Sequence, residues 1–264
     1  MKKHTILFVM LITAAFFANA QKKNKPVNDI VIVHGSWSSS DDWQAVTSKL
    51  KADGNKVTSI NLPGHGRDTT ATNKISLEGY VDAVINAIGT RQHVVLIGHS
   101  FGGIITSAVA ERIPDQIEKL VYVAAYVPTS GQSLLTIANT DPDSHVPQYL
   151  KIDEKAGIAD IDRNGLIDLF LTDAPNEIQK YAEAHFRAEP LAPLAAPVTL
   201  TAANFGRVAK IYIHTYADHV NSYTLQQRMV KAAGISQVYA LPASHTPFVS
   251  MPFILAAIIE NESL

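Results

Sequence analysis

Apolar and polar positions follow two different rhythms along this 264-residue chain. Short continuous β-branched runs, such as Ile30-Val31-Ile32-Val33, mark strands buried on both faces. Between them, apolar residues recur every three to four positions, the period of a helix with one buried face. After the strand at 30–33, Ser39-Ser40-Asp41 offers caps for a helix that buries Trp43, Val46 and Leu50, and Gly54 ends it. A strand at 57–62 stops at Pro63-Gly64. Ser76 caps a helix with Leu77, Val81, Val84, Ile85 and Ile88 on one face. A strand at 93–97, a helix at 103–112 and a strand at 120–127 complete the first half.

The rhythm breaks after Pro128. Residues 129–207 hold many prolines, several aspartates and short helix-like pieces such as 176–188. Alternation then resumes, with strands at 210–214 and 237–241 and helices at 222–233 and 252–260. An interruption followed by the same rhythm reads as an inserted cap rather than an extension of the core. The pattern predicts the α/β class, with a mostly parallel central sheet, helices on both faces and a small cap inserted into one domain at 29–264.

The first residues follow another logic. Met1-Lys2-Lys3-His4 is basic, residues 5–17 are apolar and uncharged, and Ala18-Asn19-Ala20 fits a small-residue cleavage site. Residues 1–20 are therefore expected to be a signal peptide and 21–28 a polar tether, on a chain exported to the periplasm or secreted. The apolar run is shorter than the roughly 20 residues that span a bilayer, so no stable membrane insertion is expected after cleavage. There is no cysteine, and stability must come from the core rather than disulfides. With 22 basic and 24 acidic residues and no basic stripe, a nucleic-acid partner is excluded.

The candidate chemistry centres on Gly98-His99-Ser100-Phe101-Gly102, which has a strand before it and a helix after it. That context turns G-x-S-x-G into a nucleophile elbow, with the Ser100 hydroxyl raised on a strained turn. A serine nucleophile needs a base, and the base needs an orienting acid, in the chain order Ser, Asp or Glu, His. Asp218 follows the strand at 210–214, and His245 follows the strand ending at Leu241. Asp218 is also a plausible turn residue, and Asp141 and Asp173 in the insertion are its rivals. His219 has the wrong chain order for the base. His99 and His214 read as packing residues. His34 and His65 are candidates for the pocket wall, and His93, His145 and His185 receive no role. No histidines or carboxylates stand at metal-ligand spacing, and no cofactor is called for. The oxyanion donors are expected to be the N–H of Phe101 and that of Ser36. Ser36 lies in His34-Gly35-Ser36-Trp37, where His34, Gly35 and Trp37 are the candidate substrate-binding residues.

On these residues, with Leu62-Pro63-Gly64-His65-Gly66, the chain resembles the α/β-hydrolase superfamily over nearly all of its length after the leader. Segments 30–43, 120–128 and 211–229 resemble most the branch of plant methylesterases, salicylate-binding esterases and hydroxynitrile lyases, and pyrethroid-hydrolysing bacterial esterases are similar. The resemblance implies a cofactor-free Ser-His-Asp esterase acting on a small-molecule ester. The lyases of the branch carry a threonine in the early oxyanion loop and a lysine after the catalytic histidine. Gly35 and Thr246 stand there instead and point away from lyase chemistry. Ser100 at the elbow argues against epoxide hydrolases and haloalkane dehalogenases, which carry aspartate. The alternatives are a small-molecule binding protein with little turnover, or hydroxynitrile lyase-like activity. Leu166, Ile167, Leu169, Phe170 and Phe186 either line an apolar substrate site or pack the cap onto the core. Small to medium, fairly apolar esters are the expected substrates.

Overall fold

The computed structural model of the protein describes residues 27–262, so the expected leader and nearly all of the tether lie outside the described residues. The first half runs β1 (Asp29–Val33), α1 (Gln44–Ala52), β2 (Lys56–Ile60), α2 (Leu77–Ile88), β3 (Val94–His99), α3 (Gly102–Arg112) and β4 (Ile117–Val123). An insertion follows with α4 (Leu134–Ala138), α5 (Val146–Tyr149), β5 (Leu150–Asp153), β6 (Ile158–Ile161), α6 (Leu166–Phe170), α7 (Asn176–His185), β7 (Glu189–Pro190) and α8 (Leu191–Ala195). The alternation then resumes with β8 (Ala209–Thr215), α9 (Tyr223–Ala232), β9 (Gln237–Leu241), α10 (Pro247–Ser250) and α11 (Pro252–Glu262).

The six core strands form one parallel sheet in the order β2-β1-β3-β4-β8-β9. The continuous apolar runs follow from its two covered faces. Val31, Val33, Leu96 and Leu120 pack on one side, while Ile30, Ile32, Val95, Ile97 and Val121 pack on the other. Each strand therefore needs apolar side chains at successive positions, not at alternate ones.

Two boundaries differ from the expectation. The fourth strand ends at Val123, not 127, because Ala124 turns into the left-handed region at φ 45° while its N–H still reaches Ile213 C=O at 3.0 Å. The apolar residues beyond it are buried, so composition alone extends the run. The insertion also holds a small antiparallel sheet, β5-β6-β7, in a stretch expected to carry short helices alone. Its strands have two to four residues, too short for a period to register. Asn28, the last tether residue, is fastened by its amide to Asn55 Oδ1 at 2.9 Å.

Parallel pairing sets where the loops meet. Val33 stands opposite Gly98, so the loop after β1 emerges beside the elbow after β3. Thr215 stands opposite Leu241, so the loops carrying Asp218 and His245 leave the same sheet edge side by side. The first pair is possible only with a glycine at 102. A Cβ there would lie 2.5 Å from Val33 O and 2.8 Å from His34 O, both backbone atoms that cannot yield. Gly102→Ala should destabilise the fold by about 2 kcal/mol or more. Urea unfolding monitored by circular dichroism tests this, and a change within experimental error would mean that the approach is not tight.

Candidate active site

Ser100 sits between β3 and α3 with φ 51°, a left-handed conformation that a serine adopts at a cost of order 1 kcal/mol. Its backbone is held on three sides. Ser100 N–H donates to Val123 C=O at 3.3 Å, and Ser100 C=O accepts from Gly103 and Tyr126 N–H at 3.0 Å each. The strain is thus imposed by the flanking strand and helix. Phe101 forms the N-cap of α3, where backbone N–H groups lack partners within the helix and the helix dipole favours negative charge.

Asp218 and His245 meet as the chain order predicts. The Asp218 carboxylate lies 2.8 Å and 3.0 Å from His245 Nδ1 through its two oxygens. Both side chains are buried. Since the carboxylate accepts, Nδ1 carries a proton, and in the neutral imidazole this leaves the lone pair on Nε2. The carboxylate also accepts from Thr215 Oγ1 at 2.8 Å, from Val220 and Asn221 N–H at 2.9 Å each, and from Gln226 Nε2 at 3.1 Å. This fixes its position. The rival aspartates have other work. Asp141 accepts from Ser222 N–H at 2.9 Å and from its hydroxyl at 2.6 Å, fastening the far end of the Asp218 loop. Asp173 accepts from the N–H and hydroxyl of Ser244 and so fastens the residue before His245.

His99 packs rather than reacts. Its Nε2 donates to His245 C=O at 2.9 Å, and its ring lies against those of His245 and Phe248. Burial and the neighbouring His245 hold its pKa well below the usual range. It thereby sets His245 beside the elbow. His214 also packs, against Tyr212 and Tyr223.

The loop after β1 approaches the serine closely. A Cβ on Gly35 would lie 2.7 Å from Ser100 Cβ, so any larger residue would push the loop away. Ser36 and Trp37 line a cavity of about 580 Å³ with His65, Leu166, Phe170 and Phe186. Ser100 (5 % exposed) and His245 are buried and are not among its lining residues, whereas their sequence neighbours His99 and Thr246 are. The Ser36 hydroxyl is buried without a hydrogen-bond partner among the described residues. Trp37 stacks on Phe186 and, with Phe170, forms an aromatic wall whose Phe170 ring also faces His245. Of the five apolar insertion residues, Leu166, Phe170 and Phe186 line the cavity, Leu169 packs inside the insertion, and Ile167 is exposed.

Two expected substrate contacts are corrected. Gly35 faces the elbow rather than the cavity, because its task is close approach. His34 is fully buried behind the loop, with Leu62 N–H donating to Nε2 at 3.1 Å and Nδ1 donating to Gly35 C=O at 2.8 Å. A nitrogen that accepts cannot carry a proton. Burial first, then the charge on His65, hold this imidazole neutral with a pKa of about 3.

His65, 4.9 Å away ring to ring, is the opposite case. Both its nitrogens face acceptors, Pro63 C=O at 3.1 Å and Glu189 Oε2 at 2.8 Å. Burial opposes charge on the ring, but the Glu189 carboxylate outweighs it and raises the pKa. Glu189 is wholly buried in β7 and also accepts from Trp37 N–H at 3.0 Å and Tyr80 OH at 3.2 Å. Trp37 itself holds φ 58°, and its indole N–H donates to Ala159 C=O at 2.9 Å. A carboxylate from the insertion thus holds the strained residue next to Ser36. Sequence reasoning missed Glu189, since a single glutamate before a proline in an aperiodic stretch carries no signal.

The strand-turn-helix around a strained serine, with an acid and a histidine on later loops of a parallel sheet, defines an α/β-hydrolase architecture. The family model for the alpha/beta hydrolase family matches residues 30–258, and the chain belongs to that family. It is 33% identical over 238 residues to "Putative methylesterase 11, chloroplastic" of Arabidopsis thaliana, covering 85% of this chain and 61% of that protein. It is 30% identical over 245 residues to a pyrethroid hydrolase of Sphingobium wenxiniae, covering 89% and 87%. The crystal structure of a pyrethroid hydrolase from Sphingobium faniae superposes with a TM-score of 0.78 at 27% identity, covering 90% of this chain and 98% of that one. The chain spans between 54% and 61% of the length of the first three curated relatives it matches.

The ion pair predicts a pH-dependent contribution. A raised His65 pKa adds stability that is fully present below the unfolded value near 6.5 and is lost as pH rises through the folded value. Glu189→Gln should therefore lower the melting temperature more at about pH 6 than at about pH 9. An equal loss at both pH values would show that His65 is not charged in the fold.

Proposed function

We propose that this protein is a serine hydrolase that cleaves carboxylic esters through an acyl-enzyme on Ser100. The observation that carries the reading is the buried Asp218–His245 pair, whose histidine is tied through its C=O to His99, the residue before the serine in the strained elbow. Ser100 Oγ attacks the ester carbonyl carbon while His245 Nε2 takes its proton. Asp218 holds the imidazole in the tautomer this requires and stabilises the imidazolium. The N–H groups of Ser36 and Phe101 receive the oxyanion, each contributing roughly 3 kcal/mol to the transition state. The orphan Ser36 hydroxyl beside them gains a partner when a substrate oxygen arrives, which relieves a penalty of about 1–3 kcal/mol. Collapse breaks the carbonyl carbon–alkoxy oxygen bond, and His245 gives its proton to the departing alcohol. Water then adds by the same route and releases the acid.

The insertion serves as the cap over this site and sets its preference. A cavity of about 580 Å³ with an aromatic wall of Trp37, Phe170 and Phe186 suits small to medium, fairly apolar esters. The names of the relatives, methylesterase and pyrethroid hydrolase, agree with ester chemistry. Lyase chemistry is disfavoured because Gly35 offers no hydroxyl and Thr246 no cation, its hydroxyl being engaged by Phe170 C=O. A binding protein has no need of the Asp218–His245 pair.

Ser100→Ala should abolish hydrolysis of a short-chain p-nitrophenyl ester without shifting the melting temperature. Asp218→Asn should lower turnover by a factor on the order of 10⁴. Turnover persisting in Ser100→Ala, or failure of a fluorophosphonate probe to label the wild type, would sink the assignment. The basic, apolar, small-residue pattern of the first 20 residues supports export to the periplasm or beyond. Mass spectrometry of the mature protein should then find Gln21 at the N-terminus, and intact Met1 on exported protein would refute cleavage.

A further inference from the structure

Three side chains that the ester chemistry does not use converge at the base of the insertion. His145 precedes α5, Asp168 lies within α6, and His219 follows Asp218 in the loop after β8. Asp168 Oδ2 is 2.8 Å from His145 Nδ1, and Asp168 Oδ1 is 2.9 Å from His219 Nδ1. The two imidazole rings lie 4.2 Å apart at 32°. One donor atom from each residue falls within 4.8 Å of the other two. The side chains are 37%, 29% and 36% exposed, so an ion can reach them from solvent. Burial opposes charge on Asp168, but hydrogen bonds from both histidines outweigh it and hold its carboxyl below the usual range. Tyr149 also bonds this carboxylate.

We propose that His145, Asp168 and His219 form a binding site for a first-row divalent cation of the zinc class. Two imidazole nitrogens and one carboxylate oxygen make a borderline donor set that zinc, cobalt and nickel take readily and magnesium does not. Three protein ligands leave the fourth tetrahedral position to water. Tetrahedral ligands about 2.0–2.1 Å from a metal stand roughly 3.3 Å apart, a spacing that lies between the 2.8 Å of the shortest contact and the 4.8 Å within which the three donor atoms fall. Binding replaces two N–H···O bonds with two N–metal bonds and one O–metal bond. Each imidazole then carries its proton on Nε2, and the site keeps a net charge of +1, which its exposure to solvent screens. The backbone holds the site together, since His145 N–H donates to His219 C=O at 2.8 Å and Ser144 Oγ donates to Val220 C=O at 2.8 Å.

The position gives the ion a consequence. Asp168 stands two residues before Phe170, which lines the cavity and faces His245. His219 adjoins Asp218. A cation here would tie the segment carrying Phe170 to the loop that carries Asp218, from outside the proposed reacting centre. This inference stands on the cluster alone and does not need the ester assignment.

The test uses the full purified chain after treatment with a chelator. Calorimetric titration with zinc sulfate should show one saturable site of micromolar affinity or tighter and a rise in melting temperature, whereas magnesium chloride should give neither. Cobalt(II) should develop the intense visible bands of a tetrahedral nitrogen–oxygen site in the wild type, a readout that needs no variant. His145→Gln and His219→Ala should each weaken zinc binding by more than roughly tenfold, and His93→Ala, at an exposed histidine elsewhere, should leave it unchanged. The proposal is overturned if the wild type shows no saturable zinc binding, if cobalt stays octahedral and pale, or if zinc binds equally well to both ligand variants.

Discussion

The close approach of the end of β1 to the start of α3 is the constraint from which the rest of the site follows. Gly102 lies against the carbonyls of Val33 and His34, and Gly35 lies against Ser100. At these distances no side chain fits, so the loop after β1 and the elbow after β3 act as one piece of backbone. The serine keeps its strained φ because the surrounding hydrogen bonds leave it no alternative.

Behind that contact, two adjacent buried histidines are held in opposite protonation states by their partners. His34 must accept a backbone N–H and stays neutral, while His65 faces two acceptors and is driven toward its charged form. Glu189 completes the second arrangement from the insertion. A buried ion pair gives little net stability, yet removing one partner leaves a desolvated charge that costs on the order of 3–5 kcal/mol. The pair therefore acts chiefly as a positional lock. It joins the insertion to the loop at Trp37, so the segment that shapes the cavity also holds the proposed oxyanion donor in place.

The acid loop is built on the same principle. Asp218 accepts from side chains and backbone around it, and Asp141 and Asp173 fasten the segments on either side of the Asp218–His245 pair. Two aspartates that competed for the acid's role on sequence grounds thus support it. Phe170 and the hydroxyl of Thr246 then bind α6 to the histidine loop. The core carries the Asp218–His245 pair and the strained serine, and the insertion contributes an apolar wall to the cavity.

Much of this was legible in the chain itself. Six strands, their helices, the elbow and the order Ser100, Asp218, His245 all announce themselves, because a sheet covered on both faces demands continuous apolar runs and a strained turn demands its glycines. Local periodicity and local sterics are written in neighbouring residues. Contacts between distant segments are not. The pairing of Glu189 with His65 and Trp37, the inward turn of His34, the end of β4 at Val123, and the meeting of His145, Asp168 and His219 across up to 74 residues depend on contacts between segments far apart in the chain. That packing follows from the shape and desolvation of the whole core, which no window of sequence contains, so only the tertiary structure decided them.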